Sequence, residues 1–544
     1  VLATASSQDV QAFLAGIEAT SLSSGGTTTI TVDNALTSKG TASSNEDTAV
    51  AATNATEIYG VTVDSASSAG DITINADTSA SVELLAESLR GDAAALAHVG
   101  SEVAVAAATL LDGNADAKLV ANALAVLDGT ANSVDGTAVS HSDLAALLGL
   151  KAQTVAVEGD AELIAKAGLT ATNSSGSLAG DASSSLSVGT VAGSSVDGFT
   201  AGGDITLGAD ASADVELLAS SLAGIATSDA VLDHVFAVEG SYSAGGDADL
   251  NLGAVVSVDQ VASSVDGNAF SSVAIGDEAA AFGQTGGNDV IHADGSLAVA
   301  ASSEFTASLE AASTAGDVAV QVDGGDGHAL NLAGTSHVDV SSGADLTANV
   351  SADAAVVAEA STQEGAANAA VHLDVAAVDA GNVQANRDGQ VDLAAASDAT
   401  VTASTEGGQA TDDANVALSV NVHGFNGGSG EGIAVERNGS IESTAFNNAH
   451  VIAQSEAGQA QVESQLKAVG ASLLSDGVIS IGGVGDIHSV GVIGGVNAAG
   501  EISDRASMIA NSQTGNVGVT GLFAASGISG GEVQGAAGTG SLYG

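Results

Sequence analysis

The 544-residue chain has no cysteine, no proline and no tryptophan, and its only other aromatic residues are nine Phe and three Tyr, apart from His. Without cysteine, no disulfide can staple the fold. An average chain of this length would carry roughly 27 prolines, so nothing here interrupts extended backbone by that route. A core must be built from Ala, Val, Leu and Ile, which suits thin stacked layers better than one large globule. Positive charge is equally scarce. Nine Lys and Arg stand against 66 Asp and Glu, for a net charge of −57, and none of the nine lies between Lys166 and Arg387. Nucleic-acid binding needs clustered cations that displace counterions, so no nucleic-acid partner is expected. An anionic membrane surface would repel the chain. No uninterrupted run of about 18 apolar residues occurs, so no membrane span is expected either.

What is present argues against disorder, since hydrophobic residues make up 45% of the chain and the mean hydropathy is positive. It also repeats. The stretch GDITINADTSASVELLAESLRG from Gly70 returns as GDITLGADASADVELLASSLAG from Gly203, with sixteen of twenty-two positions identical. Related module starts fall at Gly26, Gly70, Gly113, Gly159, Gly203, Gly246, Gly295, Gly343, Gly389 and Gly439, in steps of 43 to 50 residues, with a more distant copy at Gly500. Repetition overrides the domain count that length alone would suggest.

Within a module, apolar residues alternate, as at Ile72, Ile74 and Ala76, then Ala80, Val82 and Leu84. A period of two implies strands with one face inward. Gly beside Asp or Asn supplies the turns, through the positive φ that glycine tolerates and the local bonds of Asp and Asn. The expected fold class is therefore all-β, a parallel β-solenoid of about eleven modules. A coil of three short strands takes roughly 20 to 25 residues, so two coils per module are expected, giving a rod on the order of 100 Å long. A short N-terminal helix is expected over residues 1–25, where Val10, Phe13, Leu14 and Ile17 share a face behind the cap Ser7, covering the open end. Residues 26–472 form the repetitive solenoid. Residues 473–544, low in charge and rich in Gly, Val and Ile, are either buried last coils or an assembly interface. Two stretches, LLAESLRGDAAALAHVG and LVANALAVLDG, also read as helix from their Ala and Leu content.

The modules starting GDITINA, GDITLGA and DGSLAVAAS resemble the repeats of filamentous-haemagglutinin-like bacterial surface proteins, whose coils follow a G-x-I-x-I-x-A rhythm. The resemblance covers most of the chain and implies a right-handed parallel β-helix on a cell exterior, used for adhesion or surface structure. The pieces GGNDVIHADG and DGGDGHALNL are similar to the calcium nonapeptides of RTX proteins, which implies weak Ca²⁺ binding at Asp289, Asp294, Asp323 and Asp326. The competing reading is ordinary turn residues.

No catalytic constellation emerges. The ten histidines include no H-x-x-x-H pair. The G-x-S-x-G match at Gly527 has no His after it and no strand-turn-helix setting. Asn54, Asn173, Asn349 and Asn438 head glycosylation sequons of the kind that frequent Ser and Thr produce by accident.

The expected function is that of a secreted structural protein, not an enzyme, that self-assembles into an extracellular filament, sheath or matrix fibre. Its partners would be further copies of itself and other surface proteins or glycans. An amino-terminal Val1 in place of Met fits removal of an export leader. The alternatives are a monomeric adhesin stalk, with the irregular 84–150 region as its binding tip, and a polysaccharide-degrading β-helix enzyme. The last needs bases and aromatic sugar platforms that the chain mostly lacks.

Overall fold

In the computed structural model, the described residues are 7–535, apart from 114, 284–288, 325–328, 408, 475–477, 483, 494–506, 513–515 and 531, together with 542–543. Strands dominate them, and they include no helix. The chain opens with β1 (Ser7–Ser24), β2 (Thr28–Ser44), β3 (Ala49–Ser68) and β4 (Ile72–Ser88). It alternates between two sheets, so that β1 pairs with β3 and β2 with β4, both in parallel. The pattern continues through β5 (Ala93–Gly113), β6 (Ala117–Ser133) and β7 (Ala138–Val157) and on to the strand Val517–Ser529. This is a parallel β-solenoid.

The coil is not the expected one. Each module is a single coil with one run in each sheet, the run in the second sheet divided into shorter strands in the later coils, and its second half is the return run rather than a further coil. The alternation from Ile72 to Ser88 explains why. Ile72, Ile74, Ala76, Thr78, Ala80, Val82, Leu84 and Ala86 are all buried, with nothing in between to turn the chain. Eleven such runs, from Thr28 to Gly485, give a stack about 50 Å high and a seventeen-residue strand is about 56 Å long. The molecule is a broad slab, not a 100 Å rod.

The expected N-terminal helix is also overturned, since Ser7–Ser24 form β1, paired with β3 with one register shift between Ala12 and Phe13. The helical spacing has a specific source. Both Leu14 and Ile17 pack on the core although three residues apart, because the strand bends at Gly16. Ile58 and Val61 flank Gly60 in the same way, as Leu147 and Leu150 flank Gly149. Where the bend recurs, coil after coil carries Gly or Ala: Gly60, Ala104, Gly149, Gly193 and Ala237 occupy one column. There the backbone of one sheet touches the other. A Cβ on Gly149 would lie 2.7 Å from the Ala121 carbonyl oxygen and 2.9 Å from the Lys166 nitrogen. The same column reaches Gly527, so the G-x-S-x-G match belongs to a bend within a strand.

The other two helical stretches lie in β4, β5 and β6, where pairing to neighbouring coils on both sides overrides the helix preference of Ala and Leu. The described residues of segment 84–150, expected to be irregular, belong to the same stacked coils, with a shift of register between Leu110 and Asp112. Beyond residue 473, the strands Val478–Ile481, Gly485–Ile493 and Ser507–Ser512 continue the two sheets.

Candidate functional site

The most ordered chemistry lies along the two turn edges. On one edge an aspartate of each coil accepts the backbone N–H of the equivalent residue in the next. Asp116 Oδ1 accepts from Asp160 at 3.0 Å, Asp160 from Asp204 at 2.9 Å, Asp204 from Asp247 at 2.8 Å, and Asp247 from Ser296 at 2.7 Å. The ladder explains the turn glycines. A Cβ on Gly159, Gly203, Gly246 or Gly295 would fall on the carboxylate oxygen of the coil before it. These residues, with Gly26 and Gly70, share one column. None of them has positive φ, so at Gly159, Gly203, Gly246 and Gly295 it is close approach and not left-handed backbone that favours glycine, whereas a Cβ on Gly26 would meet nothing and the same column carries Ala115. The other proposed turn glycines depart from the column. Gly113 ends β5, Gly343 sits one residue early, and Gly389 and Gly439 begin strands, because the later coils differ in length.

The second edge carries a ladder that the repeat analysis missed. Ser133 Oγ donates to the Gly91 carbonyl at 2.8 Å and accepts the N–H of Gly136 at 2.9 Å. Ser177 does the same with Gly136 and Gly180, and Ser221 with Gly180 and Gly224. Asp92 and Asp181 on this edge accept the next coil's N–H from Thr137 and Ile225. The signal was legible as S-x-x-G recurring about 44 residues apart.

Three of the four candidate calcium ligands are described, and each stands in different surroundings. Asp289 starts a strand, and its Oδ2 accepts the Gly240 N–H at 3.0 Å, while burial raises its pKa. Asp294 lies in the following turn, 3.1 Å from His292 Nε2. Asp323 is buried in the next coil and accepts from Gln321. Asp326 lies outside the described residues. No group of three or more His, Cys, Asp or Glu suited to a metal occurs among the described residues.

Two buried clusters went unread in the sequence. Glu102 is fully buried and faces inward, in a column between Ile58 and Leu147. Its Oε1 accepts the Leu124 N–H at 3.2 Å, and Oε2 has no partner. Burial pushes the carboxyl up to about 7, against smaller opposing effects of Thr78 and the Leu124 and Ala80 backbone. At the bend of later coils, burial and then Asp379 raise Asp374 to about 6, with Lys467 opposing. His423 is buried, and burial and then Lys467 lower it to about 4, so its imidazole is neutral at pH 7. Among the sequons, Asn173 is buried, accepting from Ser140 and Ser142 and donating to the Ser185 carbonyl. That position is closed to a glycan.

No family model, curated protein or solved structure matches the chain. No helix among the described residues is long and apolar enough to cross a membrane.

Proposed function

We propose that the chain is an exported structural protein, non-enzymatic, whose slabs assemble into an extracellular filament, sheath or matrix fibre. The observation that carries this reading is the direction of its polar bonding. The Asp and Ser ladders of both edges link each coil to the next, so the side chains that repeat most faithfully serve stiffness along the stack. Backbone bonds across two sheets add to it, and the acidic exterior keeps slabs from associating indiscriminately. The resemblance to filamentous-haemagglutinin-like repeats points to a cell surface as the place.

Negative-stain electron microscopy of the purified chain, with calcium and then with chelator across a dilution series, tests the reading. Uniform filaments or sheets are expected, and their loss in chelator would assign the acidic edges a bridging role. Isolated slabs about 50 Å by 56 Å in every condition would overturn self-assembly.

A further inference from the structure

Directly after each serine of the second edge comes one residue at the turn, and in five successive coils it is aliphatic: Leu89, Val134, Leu178, Leu222 and Val265. Their backbones are tied coil to coil, Leu178 N–H to the Ser133 carbonyl and Leu222 N–H to that of Ser177. The side chains therefore form a comb at strand spacing, spanning about 19 Å. Leu89, Leu178, Leu222 and Val265 are 39–54% exposed, and Leu218 and Ile225 add to the patch. Beside the comb runs a groove of about 570 Å³, lined among others by Glu87, Asn132 and Gly176. A contiguous apolar strip of several hundred Å² on a soluble surface marks an interaction site.

We propose that this edge is an isologous interface with a second copy of the chain, formed by a two-fold axis through Leu178. The inference rests on the self-assembly reading above and names one of its contacts. Charge fixes both the occupant and the register. The comb has an odd number of coils, so a two-fold at its centre sets Leu178 against the partner's Leu178, Val134 against the partner's Leu222, and Leu89 against the partner's Val265. The residue after Leu89 is Arg90, which enters none of the ion pairs among the described residues. The residue after Val265 is Asp266. The axis that aligns the combs brings Arg90 beside the partner's Asp266, twice. Beside the comb at its centre stand Ala179 and Ala223, the register sets Asp135 opposite the partner's Ala223 and not opposite another charge, and Asp92 and Asp181 of this edge are each tied to a backbone N–H of the next coil. A parallel arrangement would instead set Arg90 against Arg90 and Asp266 against Asp266, which is repulsive. Each groove then receives the other copy's comb.

The absence of native cysteine gives a clean background for a test. Leu178→Cys, Leu89→Cys and Val265→Cys replace exposed side chains in the full chain, and circular dichroism checks that each remains folded. Under mild oxidation, Leu178→Cys is expected to cross-link to itself at twice 51.7 kDa. Leu89→Cys alone is expected not to cross-link, but to do so when mixed with Val265→Cys. Light scattering should show Leu178→Asp losing the dimer. Self-cross-linking of Leu89→Cys as strong as that of Leu178→Cys would establish a parallel contact and overturn the register. No cross-link at position 178 would overturn the interface, and filaments persisting in that case would leave the self-assembly reading standing. Dimers that never grow into filaments would overturn that reading and leave the interface in place.

Discussion

Glu102 places an ionisable carboxyl where neighbouring coils carry Ile58 and Leu147, and stability should follow its titration. In the folded chain it titrates at about 7 against 4.5 for the free side chain. An acid whose folded pKa is raised holds an extra proton in the folded state between those values. Its favourable contribution is complete below about pH 4.5 and is lost as pH rises to about 7. A difference of about 2.5 units corresponds to about 3 kcal/mol. Asp374, raised to about 6, titrates in an overlapping range, so wild type must be compared with Glu102→Leu. The variant fills the column with a side chain like its neighbours. It should be more stable than wild type at pH 7.5 by about 3 kcal/mol relative to their difference at pH 4.5. Because stacked coils can unfold in stages, hydrogen exchange of β3 to β7 is the apt readout, supported by urea denaturation. A wild-type-to-variant difference that stays constant from pH 4.5 to 7.5 would refute the reasoning.

Gly246→Ala should cost about 1–3 kcal/mol by displacing the Asp204 carboxylate from the Asp247 N–H. In urea denaturation, Gly246→Ala combined with Asp204→Ala should cost clearly less than the sum of the two single changes, since both act on one bond. Asn173→Ala should lose about 1–3 kcal/mol by stranding the Ser140 and Ser142 hydroxyls and the Ser185 carbonyl. On expression in a glycosylating secretory host, peptide mapping should find Asn173 unmodified.

Much of the architecture was legible. Alternation such as that of Ile72, Ile74 and Ala76 identifies strands without knowledge of their partners, because side-chain direction in a strand depends only on position parity. The repeat of Gly70 at Gly203 marks equivalent coils. Less legible was why glycine recurs at Gly159, Gly203, Gly246 and Gly295: a carboxylate 42 to 48 residues earlier occupies the space of a Cβ. Glu102 was unreadable for a similar reason. Nothing local separates it from the exposed Glu57 and Glu83; the in-and-out alternation slips by one residue between Val99 and Glu102, both buried, and that slip turns it inward.

Sequence by itself determined the strands, their parallel stacking and the acidic surface, since these follow from parity, repetition and composition. Only the tertiary structure decided the size of the coil and which residues meet. Whether a module closes after 22 residues or 44 depends on two sheets finding a common register across their core. The helical spacing of Leu14 and Ile17 became a strand with a bend because Gly16 stands in a column where the sheets touch, a contact between residues far apart in the chain.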